Sequence, residues 1–184
     1  MTNRIVARWQ DWDGVGIEHL VLKEDPAGIV AESAILATAD GEAIAVRYRI
    51  QCDSAWRVRK AEIARVGDDR VIELVGDGAG NWTDGAGVSQ PQLEGAIDID
   101  ISVTPFTNTL PIRRLALKVG QSAEILVVYV QPPSFEVVTD RQRYTRLDAV
   151  RYRHESVDSD FTRDMEVDLH GLVITYPGLF RRVL

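Results

Sequence analysis

Apolar and polar residues alternate with period two along much of this chain. Ile44, Val46, Tyr48 and Ile50 interleave with Ala45, Arg47 and Arg49, and Ile97, Ile99, Ile101 and Val103 with Asp98, Asp100 and Ser102. Phe161, Met165, Val167 and Leu169 interleave with Thr162, Asp164, Glu166 and Asp168, only Arg163 breaking the apolar set. Successive side chains of a strand point to opposite faces, so each segment has one apolar and one polar face. That is the pattern of antiparallel sheets, whose outer face can stay wet. Further strands are expected near 4–10, 16–23, 28–37, 55–66, 70–76, 92–103, 112–118, 123–131, 135–147, 150–156 and 171–176. The breaks between them hold turn-forming clusters such as Asp25-Pro26-Ala27-Gly28, Ala39-Asp40-Gly41 and Gly67-Asp68-Asp69. His170-Gly171 reads as a hairpin tip, and Trp82, between two glycine-rich turns, as a strand stub. No helical stripe runs over three turns. The best candidate, Asn108 to Leu115, has an Asn cap and Pro111 in the first turn, enough for one short turn of helix.

The expected fold is therefore all-β: one large antiparallel sheet curled into a barrel or half-barrel, with little helix, forming a single domain over 1–184. A sheet of a dozen strands curls, closes or splits into two packed layers. A wide barrel leaves an interior its own side chains do not fill easily, which becomes a ligand cavity or takes an inserted loop. Two stacked sheets with a dry core are the alternative. The length of 184 residues suffices for one sizeable core.

Charge and composition exclude several partners. The formal charge of -7 disfavours nucleic acid. Cys52 stands alone, so no intramolecular disulfide is possible. The first residues lack the apolar run of an export signal, and the longest apolar stretch, Ile125 to Val130, falls far short of the ~20 residues of a membrane span. A cytoplasmic protein without an integral membrane segment is expected, and an exposed sheet edge would favour a dimer.

The most unusual segment runs from Asp98 to Arg114. Pro105 and Pro111 bracket the polar loop Thr107-Asn108-Thr109 and stiffen it at both ends. Asp98 and Asp100 share a strand face about 7 Å apart, and of Arg113 and Arg114, which point to opposite faces, only one can meet them. Such a cluster suits the polar rim of a pocket that binds hydroxyls, or a plain Asp–Arg ion pair. His19, His154 and His170 are scattered without ligand spacing, and no nucleophile or phosphate-loop motif occurs, so no metal, cofactor or catalytic residue is expected. Arg141, Arg143, Arg151 and Arg153 alternate with aromatic and polar residues, which fits cross-strand ion pairs better than a nucleic-acid groove.

The string Thr104-Pro105-Phe106-Thr107-Asn108-Thr109-Leu110-Pro111-Ile112-Arg113-Arg114, preceded by Asp98-x-Asp100, resembles the signature of the bacterial putative glycolipid-binding family, formerly a domain of unknown function. Gly16 to Leu20, Tyr48 to Trp56, Asp77-Gly78-x-Gly80-x-Trp82, Gln142-Arg143-Tyr144 and Tyr176 to Arg182 match as well. The resemblance implies a curved β-fold similar to the periplasmic lipoprotein carriers, with a hydrophobic cavity for a lipid-like ligand. It supplies no catalytic residues. The expected function is to hold an amphiphile such as a glycolipid. Glu18, Trp56, Asp98, Asp100, Thr107, Asn108, Arg113 and Tyr144 are the candidate ligand contacts, and Ile97, Ile99, Ile101, Val127, Phe161 and Met165 the apolar lining. The alternatives are a hydrolase or isomerase using Asp98, Asp100 or Glu18, and a structural β-domain with a filled core.

Overall fold

The alternating segments become strands of one continuous sheet in a computed structural model that describes residues 2–184. The first seven are β1 (Asn3–Asp11), β2 (Ile17–Asp25), β3 (Gly28–Ala39), β4 (Glu42–Cys52), β5 (Val58–Arg65), β6 (Val71–Gly76) and the stub β7 (Trp82–Asp84). After a short 3-10 turn come β8 (Asp98–Ile101) and a crossover containing the helix α1 (Thr109–Leu115). The remainder are β9 (Ser122–Gln131), β10 (Glu136–Arg146), β11 (Arg151–Ser156), β12 (Thr162–Val167), β13 (Val173–Tyr176) and β14 (Phe180–Arg182).

The fourteen strands lie in the order β7-β6-β5-β4-β3-β2-β1-β14-β13-β12-β11-β10-β9-β8. Pairing of β1 with β14 brings the first and last strands together in mid-sheet. The sheet curls into a half-barrel but does not close, β7 and β8 being its edges. Two indole N–H groups tie distant segments: Trp9 Nε1 donates to the Val173 carbonyl and Trp82 Nε1 to that of Ala96, each at 2.7 Å.

One pairing departs from the antiparallel expectation: β8 runs parallel to β9, with Asp98 opposite Val127 and Asp100 opposite Tyr129. A parallel pair needs a long crossover, usually helical, and residues 102–121 supply it. The strand expected over 112–118 is accordingly helix to Leu115 and irregular beyond it. Phe106 and Leu110, four residues apart, both bury completely, and that helical spacing overrides the Leu115/Leu117 alternation. Pro111 is tolerated because the first-turn N–H groups have no intrahelical partner. Asn108 does not cap with its side chain, since a 3-10 turn over Phe106–Asn108 runs straight into α1. The stretch expected at 92–103 pairs only over Asp98–Ile101. β5 starts at Val58 because Trp56 adopts a left-handed φ of 63° in the preceding turn. Leu169 falls in the turn after β12 and is exposed.

The crossover acts as a plug. Phe106 and Leu110 pack with Trp9, Leu20, Ile50 and Ile63 in the principal core, and the Phe106 ring stacks 6.1 Å from that of Tyr48. β8 and β9 are covered on both faces: Ile99, Ile101, Val128 and Val130 belong to that core, while the opposite face carries Asp98, Asp100 and Tyr129. A second, smaller core gathers Ile112, Tyr144, Tyr152, Met165, Val173 and Tyr176. Among the described residues no helix is long and apolar enough to cross a membrane.

Candidate functional site

Strand alternation puts Asp140, Gln142 and Tyr144 on one face of β10, and Tyr152, His154 and Ser156 on one face of β11. The β10–β11 register sets Tyr144 opposite His154 and Gln142 opposite Ser156. The plug, seated against this face, adds Asn108, and β8 adds Asp100. Between them lies a cleft of about 390 Å³, also bordered by Tyr129, Phe161, Tyr176, Leu179 and Phe180. This volume is at the small end of ligand pockets, enough for a head group rather than a whole lipid.

The polar floor is held by directed hydrogen bonds. Gln142 Nε2 donates to Asp100 Oδ2 at 2.7 Å and to Asp140 Oδ2 at 3.1 Å, so one amide nitrogen spans two carboxylates. The Thr107 hydroxyl donates to Asp100 Oδ1 at 2.8 Å. The Tyr144 hydroxyl donates to Asn108 Oδ1 at 2.9 Å, and Asn108 Nδ2 in turn donates to the Pro105 carbonyl at 3.2 Å. His154 Nδ1 meets the Tyr176 hydroxyl at 2.7 Å, but His154 Nε2 is buried without a hydrogen-bond partner. The imidazole is enclosed by rings, Tyr144 at 5.0 Å, Phe161 at 5.7 Å and Tyr176 at 6.4 Å between centroids.

Burial disfavours charge at this site. It lowers the pKa of His154 below that of a free imidazole, although the charges of Asp100 and Asp140 pull the other way. It raises Asp140 above the usual carboxylate range; the nearby charge of Asp100 adds to the rise, and the hydrogen bond from Gln142 opposes it. The arrangement therefore offers acceptors and a neutral imidazole to a ligand's hydroxyl or N–H groups, beside aromatic faces that suit its C–H surface. No group of three or more potential metal-ligating side chains occurs among the described residues.

Of the residues singled out in the sequence, Asp100 and Asn108 line the cleft, and Thr107 and Tyr144 are buried behind it, hydrogen-bonded to them. Asp98 is fully buried beside it in a bidentate pair with Arg114, whose Nε lies 3.0 Å from both carboxylate oxygens and whose terminal nitrogen lies 2.5 Å from Oδ2. Arg113 turns away to Glu24 and the His170 carbonyl, each at 3.1 Å, and lies 4.5 Å over the ring of the buried Trp56. Glu18 sits inside the principal core, accepting hydroxyls from Ser33 and Tyr48 at 2.7 Å and from Thr104 at 2.6 Å. Burial pushes its carboxyl up to about 6 even against those three hydrogen bonds. Of the apolar residues expected to line a cavity, Ile99, Ile101, Val127 and Met165 are buried, Ile97 is half-buried outside the cleft lining, and only Phe161 borders the cleft. Asp140, Gln142, His154 and Tyr176 were not among the expected ligand contacts, although Gln142 and Tyr176 fall in strings that resemble the family. Their signal was the Asp140-x-Gln142-x-Tyr144 alternation, overshadowed by Arg141 and Arg143, which project oppositely and pair across strands with Glu124.

An apolar rim continues from the cleft. Phe180, a cleft residue, also borders a small recess with Ile17, Leu36 and Ala37. Leu36 and Ala37 in turn border a shallow groove with Val15, Ile44 and Val66. Val15, Ile17, Leu36 and Val66 are exposed, as is Trp12, whose backbone N–H donates to the Leu179 carbonyl at 2.8 Å. Exposed apolar side chains thus lie beyond the polar cleft, reached through a recess that Asp11 and Glu18 also border.

Residues 6–182 match the family described as Putative glycolipid-binding. The crystal structure of a DUF1089 family protein from Pseudomonas aeruginosa is similar, with a TM-score of 0.85 and 42% sequence identity over 91% of this chain and 92% of that one. No curated protein matches the chain.

Proposed function

We propose, from the premise that this chain belongs to the putative glycolipid-binding family, that it binds an amphiphile with its hydroxylated head in the cleft and its acyl chain along the apolar rim. The observation that carries this reading is the continuity of the two surfaces: Phe180 belongs to both the polar cleft and the first apolar recess, and Leu36 links that recess to the outer groove. The half-barrel interior is filled by the plug, so the tail lies on the open side rather than inside. The floor offers Asp100, Asn108, Asp140, Gln142 and His154 to the head group. Binding, rather than turnover, is the role assigned.

The test is calorimetric titration of methyl, butyl, hexyl and octyl glucosides below their micelle concentrations. A methylene fully removed from water contributes about 0.8 kcal/mol, and a half-open groove recovers roughly half of that, or about twofold in affinity per methylene. Affinity should climb with chain length at about that slope, and Leu36→Ser with Val66→Ser should flatten it. Failure of every glucoside to bind, or affinity independent of chain length, would overturn the reading.

A further inference from the structure

We propose that the head group this cleft selects carries an ammonium, as an amino sugar does, rather than being neutral or anionic; the inference rests on the amphiphile reading above and narrows its ligand class.

Asp100 and Asp140 bring two carboxylates to one amide nitrogen, and no Lys or Arg borders the cleft. Neither carboxylate forms an ion pair among the described residues, whereas their neighbour Asp98 has Arg114. Beyond the lining, the Arg163 guanidinium lies 5.3 Å over the ring of Phe161 and donates to the Thr162 carbonyl. With His154 neutral, the cleft thus holds uncompensated negative charge. Phosphate, sulfate or carboxylate head groups would be repelled there.

A second observation, independent of the carboxylates, supports a ligand at this floor. His154 is only 6% exposed, borders the cleft, and leaves Nε2 buried with nothing to bond. Buried polar atoms without partners are rare in folded proteins, so this nitrogen beside the cleft is a candidate partner for a ligand group. The walls complete the pattern. Tyr129, Phe161, Tyr176 and Phe180 border the same space, and ring faces attract cations as well as sugar C–H groups. Carboxylates and aromatic faces without any competing basic side chain form a recognition set for an amine. The ammonium would donate to Asp100 and Asp140, and an adjacent hydroxyl would meet His154 Nε2.

Three octyl glycosides of the same length separate the possibilities: octyl glucoside, octyl glucosaminide and octyl N-acetylglucosaminide, titrated at pH 6.5 and low salt. The glucosaminide should bind about tenfold tighter than its N-acetyl derivative, the usual advantage of a charge-assisted over a neutral hydrogen bond. That ratio should fall toward one in Asp140→Asn, whatever the substitution does to either affinity alone, and should shrink with added salt in the unmodified chain. The salt series keeps the test decisive if the variant fails to fold. Equal or weaker binding of the glucosaminide overturns the ammonium preference and leaves the amphiphile reading intact. Binding of none of the three overturns both.

Discussion

The two halves of the sheet treat buried acid in opposite ways. In the half built from β1 to β7, the plug fills the curve of the sheet, and Glu18 is enclosed by three hydroxyl donors. On the other side, β10 and β11 touch the plug but leave a cleft beside it, and Asp100 and Asp140 are held only by an amide and a hydroxyl. Asp98 and Asp100 condense the contrast into two residues of one strand face. The first is fully buried and locked to Arg114, while the second borders the cleft with no cation. Charges that hold the fold together have their partners within the chain. Those left short of partners lie where a ligand can supply them.

The largest effect expected from this contrast is at the lock. Arg114→Ala would strand the Asp98 charge in the interior, and breaking a buried pair from one side costs about 3–5 kcal/mol. Urea unfolding should show that loss, and Asp98→Leu combined with Arg114→Met should recover most of it, because well-packed apolar replacements of a buried pair are often close to neutral. A single substitution costing less than about 1 kcal/mol would erase the distinction between the locked and the open carboxylate.

Glu18 sharpens the comparison through pH. Its carboxyl titrates near pH 6 in the folded chain, against 4.5 for a free side chain. The folded protein therefore holds the proton more tightly than the unfolded one. The stability this contributes is fully present below about pH 4.5 and is lost as pH rises through 6. Up to about 2 kcal/mol should disappear between pH 4.5 and 7 from this residue. Glu18→Gln keeps the size and an acceptor without the charge, so its unfolding free energy should decline less over that window. Parallel pH profiles for the two proteins would show that the hydroxyl cluster already compensates the buried charge in full.

How much of this was legible depends on how far apart the partners lie along the chain. The period-two runs marked most strands, because each alternation is a local consequence of one wet and one dry face. The prolines around Thr107-Asn108-Thr109 marked the loop that plugs the sheet, and Asp100, Thr107, Asn108 and Tyr144 do meet there. The parallel union of β8 with β9 had no local signal; it follows from a crossover whose helix forms because Phe106 and Leu110 bury together. Without that union the meeting of Asp100 with Asp140 and His154, from strands far along the chain, was invisible. The alternation of β10 was visible and pointed to Tyr144, while its arginines form the expected cross-strand pairs with Glu124; Asp140 and Gln142 on the Tyr144 face carried no signal beyond that alternation. Period-two direction showed only that one of Arg113 and Arg114 could meet the carboxylates; Glu24 and Trp56, distant in the sequence, hold Arg113 and leave Arg114 to Asp98.

The smallest effect expected is at Asp140, and it has the opposite sign to that at the lock. Burial and the charge of Asp100 raise its carboxyl above the usual range, so at neutral pH its ionised form is held less well in the fold than in the unfolded chain. Asp140→Asn should therefore stabilise the protein slightly above pH 5. Water reaches much of this side chain, which keeps the gain to about half a kcal/mol or less. The gain should fade as pH falls below about 4, where the carboxyl is protonated in both states. Thermal unfolding at pH 7 and pH 3.5 would read this. A residue whose neutralisation strengthens the empty fold while weakening selection of an ammonium is one kept for its ligand. If Asp140→Asn instead destabilised the protein as Arg114→Ala does, the cleft carboxylate would be a structural partner like Asp98, and the locked and the open carboxylate would no longer differ in kind.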